Sequence, residues 1–432
     1  MTVSAGTQTP VEETRVALGR PLRVALLHGR EDASRRAVAH VALASAAEVV
    51  ARIRADSRQF VAAAETLREA RPDAVVVNAS AKEEAALAEL LEALRLGCGP
   101  QRPAPRILAL VEPRLGDALR SRARPFQFER YAVASELVGA LRDIRRDGSD
   151  TVVLRDVLIE DGARALAATT LTNALAVDVS DRVTSLALAR PDGRVDAAHL
   201  VPLGVGEGAD RIVARAGLDN VRRWLPWPID APALLERVFN RVRLRAAPPT
   251  TEPAVLLEMA LAREAIAHAL RDAAEAGLDV GAMRSAPAIL VTGRAASLPR
   301  ASESLLVLVD GLEPSGVTTV YREPDDGRAE RIAMVVSVTA KRAAKMRFVQ
   351  AAGQTAAKIT PGSFGFVPIR GDVEVVVSGA GIRGHGRSGA LGALIDARGR
   401  PLSLPERDGE RIPAVSRWHA AVQAAASSPS PA

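Results

Sequence analysis

The most constraining feature of this chain is the alternation of short apolar runs with helix-like segments in its first third. The runs Leu22–Leu27, Ala74–Val77 and Ile107–Val111 are largely apolar. Continuous apolar runs are typical of strands that are buried on both faces of a sheet. Glu136–Arg146 instead carries its apolar residues on one face, as an amphipathic helix does. Strands that alternate with helices at this spacing predict a parallel sheet covered by helices.

This pattern and the changes that follow it divide the 432 residues into five parts of an α/β chain. Residues 1–21 are polar without a clear period and predict a flexible arm. Residues 22–150 predict a Rossmann-like α/β domain, and residues 151–328 begin with a β-hairpin unit that is followed by helices and strands. Residues 329–415 hold strand-like runs between glycine-rich turns, which predicts a small β barrel or sandwich. The small and polar residues of 416–432 predict a disordered tail.

Composition argues against several classes of protein. Hydrophobic residues make up 48% of the chain, yet no apolar run reaches the length of a membrane span, and the first residues lack a secretory signal. Cys98 is the only cysteine, so an intrachain disulfide and a multi-cysteine metal site are excluded. Basic residues alternate with acids, as in Arg142–Asp147, and we expect no nucleic-acid partner. A cytoplasmic location fits these features.

The segment Leu175–Thr184 is the most informative for function, because it predicts a strand, a polar turn and a second strand. The segment resembles a hairpin of actin-like ATPases and sugar kinases, and this resemblance implies that the carboxylate of Asp178 holds a magnesium ion or positions a water and that the hydroxyl of Thr184 binds phosphate. Ser180 and Asp181 occupy the turn, where the charge of Asp181 repels a phosphate. The alternative interpretation is a hairpin with a polar turn and no ligand.

Two further segments can contribute to a phosphate site. Gly204, Gly206 and Gly208 precede a helix-like segment, so their backbone N–H groups can form an anion nest. Thr292 and Gly293 end a strand-like run, and a glycine there lets the backbone approach a nucleotide. Glycine-rich turns are common, so these segments alone do not identify a nucleotide site.

Several stretches of the chain resemble one protein family. They are Leu203–Arg215, Gly217–Asp219, Val221–Ile229, Met259–Ala265, Leu308–Pro314, Gly316–Thr319, Pro361–Gly365, Gly389–Gly392 and Asp396–Pro401. Together they make residues 170–404 similar to the MutL/GlmL family, the accessory proteins of coenzyme B12-dependent glutamate mutase. That family is related to the actin, Hsp70 and sugar-kinase ATPases. Residues 20–150 match the family only loosely.

The resemblance implies an actin-like ATPase lobe, of the ribonuclease H-like kind, over residues 151–328. A nucleotide site retained in this lobe takes ATP and Mg²⁺, with Asp178 as the metal ligand. The residues that the resemblance assigns to nucleotide binding are Asp178, Ser180, Thr184, Gly204, Gly206, Gly208, Thr292 and Gly293.

Three elements of the family's nucleotide site are altered in this chain. The phosphate hairpin with which relatives begin has no counterpart before Leu22, Ser180 and Asp181 replace the glycines of the second hairpin, and Arg294 and Ala295 stand in the adenosine loop. Together these changes predict lost hydrolysis and no catalytic residue. We expect a pseudo-ATPase that acts as an accessory or scaffold protein. Its expected partner is a B12-dependent mutase or a full-length homologue of the family.

Two other hypotheses stay open. The first is an active, divergent ATP-dependent chaperone or reactivase of a B12-dependent mutase that uses Asp178, Thr184, Gly206 and Gly293. The second is a small-molecule-binding α/β protein unrelated to mutases. Its ligand would bind at the carboxyl ends of the strands in residues 22–150, where open parallel sheets bind ligands.

Trp224 and Trp227 form a compact cluster with Pro226 and Pro228. One interpretation is a rigid plug between domains. The other is an anchor for a protein partner, because tryptophan is enriched among the residues that dominate binding at interfaces.

Overall fold

The computed structural model describes residues 15–17, 19, 21–55, 60–101, 103–146, 152–245, 247–324, 328–339, 343–351, 353–378 and 382–427. Within these residues the strands form sheets of two, five, eight and four strands. The helices cover or connect these sheets. The mixed α/β class predicted from the sequence is therefore confirmed.

A parallel sheet of five strands forms the first unit. Its strands are β2 (Arg23–His28), β3 (Glu48–Arg54), β4 (Ala74–Asn78), β5 (Arg106–Leu110) and β6 (Phe128–Tyr131). They lie in the spatial order β3-β2-β4-β5-β6, and every neighbouring pair is parallel. Counted along the chain this order is 2-1-3-4-5, one of the two common doubly wound orders.

Helices cover both faces of this sheet, as the continuous apolar runs predict. The helices are α1 (Asp32–Ala44), α2 (Phe60–Ala70), α3 (Glu84–Cys98), α4 (Pro113–Arg122) and α5 (Ala134–Arg146). Alternate residues of a strand point to opposite faces. Accordingly Ala25 and Leu27 pack with α2, α3 and α4, while Val24 and Leu26 pack with α1 and α5.

An eight-stranded sheet forms the centre of the molecule. Its strands are β8 (Ala174–Val179), β9 (Thr184–Ala189), β10 (Val195–Leu200), β11 (Ala288–Thr292), β12 (Gly316–Arg322), β13 (Glu330–Ser337), β16 (Phe364–Val367) and β19 (Ala393–Asp396). Their spatial order is β10-β9-β8-β11-β12-β13-β19-β16. Strand β9 is antiparallel to both of its neighbours, β8 and β10, as the short connections predict, whereas β11 is parallel to both β8 and β12.

The boundary predicted between residues 328 and 329 is wrong, because it cuts this continuous sheet. Strand β13 pairs with β12 across it, and β19 and β16 extend the same sheet further. The remaining strands of the region form a separate four-stranded antiparallel sheet. They are β14 (Ala344–Gln350), β15 (Gly353–Ile359), β17 (Gly371–Ser378) and β18 (Ile382–Ser388). Phe348 and Val375 of this sheet share one apolar core with Met334 of β13.

The helices of the second half pack mainly against the eight-stranded sheet. They are α6 (Arg155–Thr170), α7 (Ala209–Ala216), α8 (Leu218–Arg222), α9 (Ala231–Arg243), α10 (Glu252–Glu275), α11 (Val280–Arg284), α12 (Gly293–Ala296), α13 (Ala301–Leu312) and α14 (Asp408–Ser427). Asp230 caps α9 by accepting a hydrogen bond from the backbone N–H of Ala233 at 2.8 Å. No helix of the described part combines the length and apolar character that crossing a membrane requires.

The prediction of a disordered tail over residues 416–432 is wrong as far as Ser427, because α14 continues to that residue. Val415 and Val422 of this helix are buried, and burial lowers the pKa of His419 to about 3. Alanine has the highest helix propensity, so the alanine-rich segment continues a helix that packing has already fixed. Residues 428–432 lie outside the described residues.

The flexible arm predicted over residues 1–21 is wrong in part. Arg15–Ala17 forms the short strand β1, which pairs in parallel with β7 (Val152–Leu154). This pairing ties the start of the chain to the strand that precedes α6. Residues 1–14 lie outside the described residues.

Candidate functional site

The residues that the sequence singles out for nucleotide binding come together where β8, β9 and β11 meet two loops. Asp178 lies near the end of β8, and Thr292 lies beside it in the paired register of β11. The loop 201–208 packs on the turn between β8 and β9. The three sequence elements therefore form one cluster, and their hydrogen bonds decide what the cluster can bind.

Asp178 is fully buried and is paired with the cationic side chain of Arg155. The Nη2 of Arg155 donates to its Oδ1 at 2.7 Å, and the hydroxyl of Thr292 donates to the same atom at 2.8 Å. Arg155 is the first residue of α6 and keeps 33% of its side chain exposed. The carboxylate that would hold a magnesium ion is thus neutralised by the chain itself.

Gly293 directly follows β11 and lies so close to β8 that the position requires glycine. Its φ is +67°, in the left-handed region, and a Cβ atom there would lie 2.6 Å from Oδ1 of Asp178. Gly293 also forms an isolated bridge with Val179. The glycine therefore brings the loop onto the strand that carries the aspartate.

Backbone N–H groups of the glycine-rich loop 201–208 donate hydrogen bonds to the turn between β8 and β9. The N–H of Val205 donates to the carbonyl of Ser180 at 3.0 Å, and the N–H groups of Gly206 and Gly208 donate to the carbonyl of Asp181 at 3.0 and 3.2 Å. A Cβ on Gly206 would lie 2.8 Å from Oδ1 of Asp181. Gly204 packs against the backbone of the same turn. The predicted anion nest is thus occupied by carbonyl oxygens.

The hydroxyl groups of Ser180 and Thr184 also have internal partners. The Oγ of Ser180 accepts from the N–H of Val183 at 3.1 Å and so closes the turn. The hydroxyl of Thr184 donates to the carbonyl of Leu203 at 2.5 Å, and Thr184 is fully buried. Both side chains fix the hairpin to itself and to the glycine loop.

An ion network of α9, α10 and α12 closes the other side of the turn. Arg294 donates to both oxygens of Glu258 at 2.9 and 2.8 Å, and its Nε lies 3.3 Å from Oδ1 of Asp181. Arg241 lies 3.3 Å from Glu258 and donates to the carbonyl of Val205 at 3.1 Å. The charge of Asp181, expected to repel a phosphate, is instead matched by two arginines.

The space beside Asp178 is too small for a nucleotide. The cavity that Asp178 and Arg155 line has a volume of about 10 Å³. One water molecule needs roughly 10–15 Å³, and ordinary ligand pockets have roughly 300–1,000 Å³. This cavity therefore has room for about one water molecule beside Asp178.

The helix that carries Arg155 is also bound to the first unit. Asp156 accepts from Arg142 and Arg145 of α5 at 3.1 and 2.9 Å, and Arg145 donates to the carbonyl of Ser45 at 2.8 Å. Glu160, one turn further along α6, accepts from Arg142. Burial alone raises the pKa of Glu160, but His199 and Arg142 lower it to about 2.

The carboxyl edge of the five-stranded sheet is the second place where the sequence predicts a ligand. Here the carboxylate of Glu83 accepts hydrogen bonds from the backbone N–H groups of Arg30 and Ser80. It lies directly over Gly29, at the end of β2. The carboxylate thus occupies the point between β2 and β4 where the strand order reverses and where such sheets bind ligands.

The residues that close both places were not predicted from the sequence. Arg155 is 23 residues from Asp178, and Glu83 is 53 residues from Arg30. No local period or motif links residues at such separations. For Arg155 the only local signal is its charge, whereas Glu83 forms a capping box with Ser80, which the spacing Ser-x-x-Glu could have indicated.

Trp224 is not a surface anchor, so the partner-binding prediction is wrong for this residue. It is 4% exposed, and its Nε1 donates to Glu264 at 2.8 Å. The guanidinium groups of Arg223 and Arg263 lie 5.0 and 5.1 Å from its ring centre. Trp227 is half-buried and packs against the central core.

Neither a metal-binding group among the described side chains nor a similar known protein identifies the site. Within the described residues, no group of three or more His, Cys, Asp or Glu side chains has the arrangement to hold a metal ion. The chain also matches none of the protein-family models and none of the curated proteins with which it was compared.

Proposed function

We propose that this protein is a non-catalytic accessory or scaffold protein, a pseudo-ATPase similar to the MutL/GlmL family that acts in the cytoplasm through protein partners. The observation that carries the proposal is the ion pair between Arg155 and the buried Asp178. A guanidinium fixed on the carboxylate takes the position that a metal ion would need. The partner, a B12-dependent mutase or a full-length homologue, rests on the resemblance of residues 170–404.

Binding of ATP and Mg²⁺ would require several contacts to break at once. Arg155 would have to leave Asp178, although a buried carboxylate without a partner is strongly unfavourable. The loop at Gly206 would have to release the carbonyls of the hairpin turn, and each lost hydrogen bond has a cost of about 1 kcal/mol. These costs reduce the affinity for a nucleotide by orders of magnitude.

The architecture supports the proposed similarity to the MutL/GlmL family. Three antiparallel strands, β8 to β10, are extended by the parallel strands β11 and β12 in one sheet. This combination is what we expect of a ribonuclease H-like lobe. The doubly wound unit of residues 22–146 supports the Rossmann-like assignment in the same way.

Isothermal titration with ATP and Mg²⁺ tests the non-catalytic part. We expect no heat of binding up to about 1 mM ATP and no phosphate release, in the wild type or in Asp178→Ala. Asp192→Ala, at the exposed far end of the same strands, is the matched control. Micromolar binding with turnover that Asp178→Ala abolishes and Asp192→Ala retains would establish the active ATPase instead.

Sedimentation velocity with purified candidates tests the partner part. We expect a complex with a B12-dependent mutase or with a full-length relative that keeps its glycine-rich hairpin. The complex should form equally well with and without ATP when the full-length relative is absent. If the protein sediments alone with both candidates, the accessory role is rejected.

A further inference from the structure

A cleft of about 390 Å³ lies away from the hairpin, between α10, α13 and the segment around Pro401. Its volume is within the range of small-molecule sites. Four arginines line it, and they come from three parts of the chain: Arg223 follows α8, Arg263 and Arg271 lie on α10, and Arg284 ends α11. None of the residues assigned to the hairpin cluster lines this cleft.

Arg263 is the most unusual of the four, because it is only 1% exposed. Its Nε donates to Oδ2 of Asp310 at 2.9 Å. Its Nη1 is buried and has no hydrogen-bond partner among the described residues. A buried donor without a partner costs about 1–3 kcal/mol, and more for a charged group, so it marks a place that an acceptor would stabilise.

The carboxylates that line the cleft are already engaged. Glu264 accepts from Arg223 and from the indole of Trp224, both at 2.8 Å. Asp310 accepts from Arg263 and also from Arg398, at 2.8 Å, and Arg398 lies behind the cleft. Glu313 accepts from the N–H of Leu402 at 2.8 Å and lies 3.9 Å from Arg284. The four arginines that line the cleft thus outnumber its three carboxylates by one.

The other wall of the cleft is apolar. Leu270, Val280 and Leu402 supply it. Binding sites for small organic ligands combine such a wall with a few polar groups that fix the orientation. Arginine pairs with carboxylate and phosphate through parallel hydrogen bonds, whereas a neutral ligand would leave the excess charge uncompensated.

We propose that this cleft binds a small organic oxyanion, a carboxylate or phosphate carried on an apolar body. The oxyanion is held by Arg263, Arg271 and Arg284, and the apolar body packs on Val280 and Leu402. The site is independent of nucleotide binding at Asp178 and of the accessory role.

Titration followed by ¹⁹F NMR, with four small probes, tests the proposal. 4-Fluorobenzoate and 4-fluorophenyl phosphate carry both parts of the ligand, 4-fluorobenzamide lacks the charge, and inorganic phosphate lacks the apolar body. We expect at least one of the two fluorinated anions to bind with a dissociation constant on the order of 1 mM or lower. The tighter of the two identifies the head group. The amide and inorganic phosphate should bind at least tenfold more weakly.

Variants locate the binding. Arg271 is exposed and Arg284 half-buried, so Arg271→Ala and Arg284→Ala should leave the protein folded and weaken the anion at least fivefold each. Ala267→Phe should fill the apolar part and block the body of the ligand. Arg347→Ala, an exposed arginine of β14, is the matched control and should bind as the wild type does. Thermal unfolding checks that each variant is folded.

Three results would overturn the proposal. They are no binding of either fluorinated anion below about 10 mM, equal binding of the amide or of inorganic phosphate, and equal affinity in folded Arg271→Ala, Arg284→Ala and Arg347→Ala.

Discussion

Two predicted ligand sites, the hairpin cluster around Asp178 and the carboxyl edge of the five-stranded sheet, are each filled by one charged side chain. The two side chains have opposite charges. At the hairpin the guanidinium of Arg155 reaches a buried carboxylate, Asp178. At the sheet edge the carboxylate of Glu83 reaches the backbone N–H groups of Arg30 and Ser80. In each place the chain supplies the charge that a bound ligand or ion would bring.

The two places differ in what remains when the inserted charge is removed. Without Arg155, a full negative charge stays inside the sheet. Without Glu83, neutral N–H groups stay at an edge that water can reach, because Glu83 is only half-buried. The inserted charged side chain is therefore needed for stability at the hairpin, whereas its loss at the sheet edge costs much less stability.

Replacing Arg155 by methionine should have the largest effect. Asp178 keeps only the hydroxyl of Thr292 among the contacts described above, and we expect a loss of about 3 kcal/mol in the free energy of unfolding. Urea denaturation measures it. Arg164→Met, a half-buried arginine on the same helix, is the control and should cost less than about 0.5 kcal/mol. Equal losses in the two variants would show that the ion pair at Asp178 contributes nothing special.

Replacing Glu83 by glutamine should have an intermediate effect of about 1 kcal/mol, because the amide still accepts one hydrogen bond but carries no charge. Urea denaturation at neutral pH measures it, with the exposed neighbour Glu84→Gln as the control. A loss as large as that of Arg155→Met would contradict the difference drawn between the two places.

The effect at Glu83 should also depend on pH. Burial alone raises the pKa of Glu83, but the hydrogen bonds from Arg30 and Ser80 outweigh it and lower the pKa below its usual value. A carboxyl with a lowered folded pKa stabilises the protein fully above its ordinary pKa of about 4.3, and this contribution is lost as the pH falls through the folded value. Glu83→Gln should therefore lose less stability on acidification than the wild type does. A parallel decline would contradict this.

Replacing Asp181 by glycine should have the smallest effect. Its side chain is 43% exposed, so we expect a change within about 0.5 kcal/mol. The substitution restores a glycine to the hairpin turn, yet we expect no gain in ATP binding, because Arg155 still occupies Asp178. Calorimetry measures both quantities. A gain in affinity would place the block at the turn and not at Arg155.

Several strands of the five-stranded and eight-stranded sheets were predictable because their apolar runs are long and buried on both faces. Ala74–Val77 and Leu175–Val179 match the observed strands within one residue. Strand β18 was not predicted, because its sequence is polar and glycine-rich and alternates between exposed and half-buried positions. The helix α14 was missed because it contains Pro413 and small residues that also occur in tails.

The site was predictable only in its outline. Asp178, Gly206 and Gly293 were placed together because the family resemblance assigns all three to nucleotide binding. Their partners were not predictable, since the side chain of Arg155 reaches Asp178 only after α6 has packed on the sheet. The sequence pattern fixes which backbone segments meet, whereas the identity of each hydrogen-bond partner depends on three-dimensional packing.

The adjacency of Arg155 and Asp156 at the start of α6 links the two halves of the molecule energetically. Arg155 pairs with the hairpin, while Asp156 pairs with Arg142 and Arg145 of the first unit. A ligand that displaced Arg155 by moving α6 would also loosen those pairs. By reciprocity, a partner that pulled the first unit away would raise the affinity at the hairpin by the same factor. Any movement of α6 that frees Asp178 is therefore coupled to the ion pairs that join α6 to α5.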